Sequence, residues 1–390
     1  MKFRIILNTI RKEFVKMITN KSCLCSLSPE LDFDFFPEHV SLSELLFFDI
    51  ETTGLSPKTS QVFLIGAVQY SDKLQAFESI QFLAESTDPG EELQLLKAFS
   101  QLAREKQFLI HFNGTSFDLP YLRHRYKALQ LFHPLDSCHS LDLYRELLAM
   151  PAFFRQMPDH KQKTFELLVQ YPRKDKLSGK EMIKAYKEYA LSKASSTREQ
   201  LFLHNLDDLK GMLALLPLGR LKQLLHHSYQ ILETTEFQEP DITGAMQTQV
   251  LFTLSLKRPV PVPLSANAGF CYITVLKEKA KIKMPLFEGT LRYFYKDYKN
   301  YYYLPFEDEA IHKSVAAYLD PSHRQKATAA TCYKKISGQF LYAPGTPNLP
   351  LLQEEYHSKE RYVSWPFSSS SDVDLKSYLH EVLKTAITQK

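Results

Sequence analysis

Over the first 220 residues the apolar positions alternate between short continuous runs and helical spacing. Leu45-Leu46-Phe47-Phe48 leads into Asp49-Ile50-Glu51 and predicts a buried strand. A second apolar strand is expected over 61–70 and a third over 74–83. The short polar link Ser71-Asp72-Lys73 between them suits an antiparallel hairpin. Asp88-Pro89-Gly90-Glu91 has the form of a helix start, with Asp88 as N-cap and Pro89 in the first turn, and the helix runs to about Lys106. Phe108 to Phe112 reads as a short buried strand, Asn113-Gly114 as a turn, and Phe117 to about Gln130 as a helix. A strand end at Ser140 to Leu143 and a further helix follow.

Three strands, helix, strand, helix, strand and then helices imply a mixed α/β sheet. Its first three strands pair antiparallel, and crossovers place the later ones parallel. Residues 162–216 are expected to be mostly helical, with a stop at Pro172, a helix over 179–191, and a longer one beginning after Ser195-Ser196-Thr197 and ending at Pro217 and Gly219. Beyond 232 the texture changes to short strand-like runs at 249–256, 270–276 and 281–284, with one helix near 308–319. The expected organisation is a lead-in over 1–44, an α/β domain over 45–220 and a β-rich α+β domain over 235–390, with a boundary near 235.

Composition changes this picture little. The chain has 390 residues, 44% hydrophobic and 24% charged, as in ordinary globular proteins, and is long enough for two cores. A net charge of +4 permits an anionic partner without requiring one. Five cysteines, an odd set with no signal peptide beside them, read as reduced thiols of a cytoplasmic protein, and Cys23 and Cys25, the one close pair, lack the spacing of a zinc site. Met1 to Asn20 mixes Ile5, Ile6, Ile10, Phe14 and Ile18 with Lys and Arg, which predicts a basic amphipathic helix rather than a leader. Apolar runs never reach the 18 residues of a membrane span. Interleaved Lys, Arg and Tyr over 277–303 read first as an aromatic β core rimmed by solvated lysines, and second as a grip for a nucleic-acid strand.

The candidate chemistry lies in three acidic motifs. Asp49 and Glu51 are two apart on a strand and share a face. Two carboxylates so placed raise each other's pKa unless a cation stands between them. Alone, the pair is equally a strand end with solvated acids. Asp118 falls in the first turn of a helix, where the dipole favours a carboxylate and where open α/β sheets also build sites. His204 and Asp208 are four apart, on one helix face, while Asp207 points elsewhere. Jointly, Asp49, Glu51, Asp118 and Asp208 are four carboxylates from separate elements of one sheet. Two hard cations roughly 3.5–4 Å apart take such a set, activating a water and stabilising a leaving oxygen in phosphodiester cleavage. His204 would then orient or deprotonate that water.

At these residues the sequence resembles a known family. Asp49-Ile50-Glu51-Thr52-Thr53-Gly54, then Asn113-Gly114 through Phe117-Asp118-Leu119-Pro120, then His204-Asn205-Leu206-Asp207-Asp208 look like the three motifs of the DEDD exonucleases, and most like the YprB-type ribonuclease H-like group. The resemblance spans about 45–217 and includes Leu177-Ser178-Gly179-Lys180-Glu181 with Tyr186, similar to a linker helix of that group. It implies a ribonuclease H-like sheet, two Mg²⁺ or Mn²⁺ ions on Asp49, Glu51, Asp118 and Asp208, and 3′→5′ exonuclease action on a single-stranded DNA or RNA end. Thr52, Thr53, Gly54, Asn113 and Gly114 would border the terminal nucleotide. One departure stands out: His204 has the four-residue spacing of the branch that carries tyrosine there, whereas the histidine branch uses five. The alternatives are a ribonuclease H-like endonuclease on hybrids or junctions and a silent nucleic-acid-binding module. Asp142 reads first as a strand-end structural acid and second as an accessory acid of the site.

Overall fold

The computed structural model describes residues 17–24, 35–36, 40–241, 243–367 and 372–389. It divides into two compact units, 1–148 with 157–219, and 149–156 with 220–390.

The first unit is built on a six-stranded sheet. Its strands are β1 (Met17–Cys23), β2 (Leu45–Thr52), β3 (Val62–Ser71), β4 (Ala76–Ala84), β5 (Phe108–His111) and β6 (His139–Asp142), in the order β1-β4-β3-β2-β5-β6. Strands β2, β3 and β4 pair antiparallel, and β5 and β6 continue from β2 in parallel. This is the mixed sheet expected from the apolar runs. Its helices are α1 (Pro89–Ala103), α2 (Asp118–Ala128), α3 (Leu143–Leu148), α4 (Gln162–Leu168), α5 (Gly179–Ser192) and α6 (Ser195–Leu215). Local chemistry sets their starts. The Asp88 carboxylate accepts from Gly90 N–H at 2.7 Å with Pro89 in the first turn. Ser178 and Glu181 form a reciprocal capping box at the head of α5.

Strand β2 is almost continuously apolar because both of its faces are covered. Phe48 packs on Phe99 of α1, with ring centroids 5.2 Å apart. Asp49, on the opposite face, meets Asn205 of α6. Gly66 of β3 is directly across from Asp49 in the ladder and lies under the same helix. A Cβ there would stand 1.8 Å from Asn205 Oδ1 and 2.8 Å from Leu209 Cδ1, so α6 rests on bare backbone. Asn205 is fully buried and its Oδ1 accepts from Gln81 Nε2 at 2.9 Å, which leaves it nowhere to retreat. Gly66→Ala is therefore expected to destabilise the unit by about 1–3 kcal/mol through overpacking. It should also weaken divalent-cation binding, because α6 carries part of the site. Urea unfolding and calorimetry on the variant check both, and wild-type values in both would refute the contact.

Several expectations are corrected. Residues 17–20, placed at the end of an amphipathic helix, are part of strand β1, whose backbone pairs with β4 from Met17↔Ala84 to Cys23↔Glu78. Residues 1–16 of that segment lie outside the described residues. Of the lead-in over 27–44, Phe35 and Phe36 are buried, and Phe36 packs edge-on to Phe108 at 6.0 Å. Residues 25–34 and 37–39 lie outside the described residues. Cys138, Cys271 and Cys332 are free thiols, as expected, but Cys23 is disulfide-bonded.

The second unit is antiparallel. Strands β7 (Tyr229–Pro240) and β8 (Met246–Leu256) form a hairpin, and β8 pairs with the long β11 (Lys279–Phe294). Strands β9 (Leu264–Asn267), β10 (Tyr272–Leu276), β15 (Tyr333–Tyr342) and β16 (Tyr362–Trp365) complete this seven-stranded sheet. A smaller sheet holds β12 (Tyr301–Leu304), β13 (Glu309–His312) and β14 (Gln325–Lys326). Residue 235, where a boundary was expected, is inside β7, paired with Leu251. The helix expected over 308–319 is strand β13 followed by the short α7 (Lys313–Ala316), because Glu309 to His312 pair with Tyr301 to Leu304. A C-terminal helix, α8 (Asp372–Thr388), was not anticipated; it buries Tyr378, Leu379, Val382 and Leu383. The aromatics near 293–303 are half-buried, several of them against Ala310, Ala327 and Cys332: Tyr295 stacks on Tyr301 at 4.5 Å, and Arg292 lies over the Tyr333 ring. Among the described residues no helix is long and apolar enough to cross a membrane.

Candidate active site

The first unit gathers its acids where β2 ends. The ladder between β2 and β3 slips between Glu51 and Thr52, so the strand closes in a bulge. Just upstream, Asp49 and Glu51 face α6. Asn205 Nδ2–H donates to Asp49 Oδ2 at 2.9 Å and fixes that carboxylate. Asp118 is buried at the start of α2, and Asp208 is on α6 one turn beyond His204. Burial, then the charges of Asp208, Glu51 and Asp118, pushes Asp49 well above the usual carboxylate range. Burial, then Asp208, Asp118 and Asp175, does the same to Glu51. Asp118 rises to about 7, chiefly through burial, against hydrogen bonds from backbone N–H groups. Four acids from three elements thus feel one another's charge.

His204 stands in the middle of this cluster. Its Nδ1 is 2.7 Å from Asp175 Oδ2, and its Nε2 is 3.5 Å from Glu51 Oε1 and 3.4 Å from Asp208 Oδ2. Glu51, His204 and Asp208 offer one ligand atom each, all within 4.8 Å of one another. A set of carboxylates within reach of one another's charge, with one imidazole among them, has the donor chemistry of a divalent-cation site. The donors present therefore fit the ions that the sequence motifs imply.

Two further side chains were not anticipated. Arg173, in the loop between α4 and α5, bonds Asp208 Oδ1 at 2.8 Å, Glu166 Oε2 at 3.1 Å and Asp175 Oδ2 at 3.3 Å. Burial works against its charge, yet Asp208 and Glu166 outweigh it and raise the guanidinium above its ordinary value. Asp175 is lifted by burial, but Leu177 N–H, His204 and Lys163 overcome this and hold it low. Asp207 points away from the cluster, as its helix position requires, and ties down the same loop by accepting from Lys174 N–H at 2.8 Å and Asp175 N–H at 2.7 Å. Loop residues such as Arg173 carry no periodicity that would have marked them. Asn205 had a signal, its place inside the His204 to Asp208 motif.

The expected substrate-bordering residues are largely engaged in holding loops. Thr52 Oγ1 donates to the Gly54 carbonyl at 2.9 Å, and Thr53 Oγ1 accepts from Gln61 N–H at 3.0 Å. A Cβ on Gly54 would come 2.5 Å from Ser60 Oγ. Asn113, at φ 59°, and Thr115 both donate backbone N–H groups to Asp142, at 2.7 and 3.1 Å. Gly114 N–H goes to His111 Nδ1 at 3.1 Å, and a Cβ at Gly114 would strike that ring at 2.7 Å. Burial lowers His111 to about 4, so it stays a neutral acceptor there. Asp142 is the structural acid that its strand-end position suggested.

Comparison with known proteins follows the same residues. The family model described as RNase_H superfamily matches 46–218. This stretch is similar to the RNase H superfamily. The matched range covers all three acidic motifs and the Arg173 loop, so the whole cluster lies within the matched stretch. No curated protein matches the chain. Among solved structures, product-bound exonuclease I is similar at 13% identity and TM-score 0.29, over 55% of this chain and 58% of that one. Escherichia coli exonuclease I in complex with a dT13 oligonucleotide is similar at 12% and 0.28, over 54% of each chain. The family B DNA polymerase of the hyperthermophilic archaeon Pyrobaculum calidifontis is similar at 16% and 0.37, over 88% of this chain and 46% of that one. The chain thus spans little more than half the length of the exonuclease I chains, and at these scores the likenesses add nothing to the family match.

Proposed function

We propose that this chain is a divalent-metal-dependent nuclease, a 3′→5′ exonuclease on single-stranded DNA or RNA. The observation that carries the reading is the convergence of Asp49, Glu51, Asp118 and Asp208, each able to bind a cation and each near the others' charge. Two bound Mg²⁺ or Mn²⁺ ions would supply an activated water and Lewis-acid stabilisation of the phosphoryl oxygens. The chain's own residues hold and aim this set. Asn205 orients Asp49 and Arg173 orients Asp208, so two of the ligands are fixed before a cation arrives. The likeness of 46–218 to the RNase H superfamily supports a phosphodiester substrate. So does a cleft of about 480 Å³ at the loop after β2, lined by Lys58, Arg125 and Lys187 with the hydroxyls of Thr53, Thr59 and Ser60. The two lysines and the three hydroxyls can donate to a phosphate oxygen, whereas Arg125 is held by Glu92 and the Pro57 carbonyl.

The expected result with a 5′-labelled oligonucleotide and Mn²⁺ or Mg²⁺ is a ladder of products shortened from the 3′ end. A 3′-blocked oligonucleotide or a circular single strand should survive. Cleavage of the circle would make the protein an endonuclease. Oligonucleotide binding with no cleavage under any divalent ion would make it a silent binding module.

A further inference from the structure

The position of His204 answers a question that its spacing raises. A histidine that takes a proton from water needs a free nitrogen aimed at that water. Here one nitrogen is held by an acid and the other is turned toward two more acids. Nδ1 lies 2.7 Å from Asp175 Oδ2, and the Asp175 side chain is only 3% exposed. That carboxylate is locked in turn by Leu177 N–H at 3.0 Å and Arg173 at 3.3 Å. In the tautomer whose Nδ1–H donates to that carboxylate, the Nε2 lone pair points the other way. On that side are Glu51 Oε1 at 3.5 Å and Asp208 Oδ2 at 3.4 Å, beyond the length of a strong hydrogen bond. The Nε2 lone pair and two carboxylate oxygens then converge within 4.8 Å, and a cation is what such a triangle accommodates. A buried carboxylate on one imidazole nitrogen and a ligand position at the other is the usual arrangement of a metal-binding histidine. The four-residue spacing is part of the design, because i and i+4 put His204 and Asp208 one above the other on α6.

We propose that His204 is itself a ligand: Glu51, His204 and Asp208 offer an oxygen–nitrogen–oxygen face to one divalent cation, with Asp175 as the positioning residue for the imidazole. The inference rests on reading the four carboxylates as a metal site and goes beyond it in naming the class of ion. Imidazole nitrogen favours Mn²⁺ and the later first-row ions over Mg²⁺, which takes oxygen almost alone. The site therefore selects nitrogen-accepting transition ions.

The test needs no substrate. Pulsed electron paramagnetic resonance on the Mn²⁺-loaded full-length protein is expected to show hyperfine coupling to one ¹⁴N nucleus, absent in His204→Gln. Calorimetry is expected to give a loss of Mn²⁺ affinity of about 10–100-fold in His204→Gln and of about 10-fold or more in Asp175→Asn, with Mg²⁺ affinity changed much less. Should the variants fail to fold, the wild-type spectrum alone decides: bound Mn²⁺ without nitrogen coupling overturns the proposal. An unchanged Mn²⁺ over Mg²⁺ preference in a folded His204→Gln overturns it as well. Coupling without cleavage would leave this inference standing and sink the nuclease reading. Cleavage with no coupling would do the reverse.

Discussion

Asp49→Asn is expected to abolish metal-dependent cleavage while making the ion-free protein more stable. The two effects have one cause. Asp49 sits among Asp208, Glu51 and Asp118, and burial together with those charges holds its carboxyl far above the ordinary range. Asparagine keeps the shape and can still accept from Asn205 Nδ2 through its carbonyl oxygen, so the contact with α6 survives. The negative charge does not, and a divalent cation loses one of its ligands. Loss of one electrostatic element of such a site costs at least about 10²–10³-fold in rate. Without ions, the same change removes the cost of holding a buried carboxyl beside three other acids, and the melting temperature should rise by about 2–8 °C. The pH dependence has a definite sign. A carboxyl raised in the folded state stabilises the fold fully below its unfolded pKa, near 3.8, and that contribution is lost as pH rises through the folded value, about 7 for Asp118. Ion-free wild-type protein should therefore weaken between pH 4 and 8, Asp49→Asn should weaken less, and saturating Mn²⁺ at pH 8 should restore the wild type only. Calorimetric melting with chelator or Mn²⁺ checks this. A variant that cleaves at the wild-type rate would sink the assignment of Asp49.

The sheet and the acids were legible for different reasons. Continuous apolar runs such as Leu45 to Phe48 mark strands covered on both faces, and the short polar link after Ser71 marks their antiparallel pairing. Strand β1 was missed because its apolar residues fit helical spacing equally well, and only pairing with β4 decides between the two. Residues 309–312 were placed in a helix for a similar reason, since their partners Tyr301 to Leu304 are not visible in local pattern. The four carboxylates could be named because two, four and first-turn spacings each fix a face. Arg173 and Asp175 belong to an irregular loop held by Asp207, so nothing in their spacing points at the cluster they complete. The role first suggested for His204 came from chemistry alone. Its Nδ1 partner on that loop is what redirects it toward the acids.

Removing that loop's arginine should produce the largest stability loss in the domain. Arg173 is the one guanidinium among Glu166, Asp175 and Asp208, whose side chains are 2%, 3% and 16% exposed. Arg173→Met keeps most of the apolar volume and leaves these acids without their shared counter-charge. Breaking a buried ion pair from one side costs about 3–5 kcal/mol, because the surviving charge stays out of water. Arg173→Lys should fall between, since a single ammonium cannot reach three carboxylates in the fork geometry of a guanidinium. Glu166 distinguishes this from a simple loss of packing. Its Oε1 also accepts from Gln162 Nε2 at 2.8 Å and stands 1.9 Å from where a Cβ on Gly211 would be, so it cannot swing out to solvent. Adding Glu166→Gln to Arg173→Met removes one stranded charge and should recover part of the loss. Saturating Mn²⁺ should recover another part, by neutralising Asp208 while leaving Glu166 uncompensated. Urea unfolding with chelator and with Mn²⁺ separates the two recoveries. If Arg173→Met unfolds within about 0.5 kcal/mol of wild type in chelator, these acids are neutral without their arginine and the loop is not what organises them.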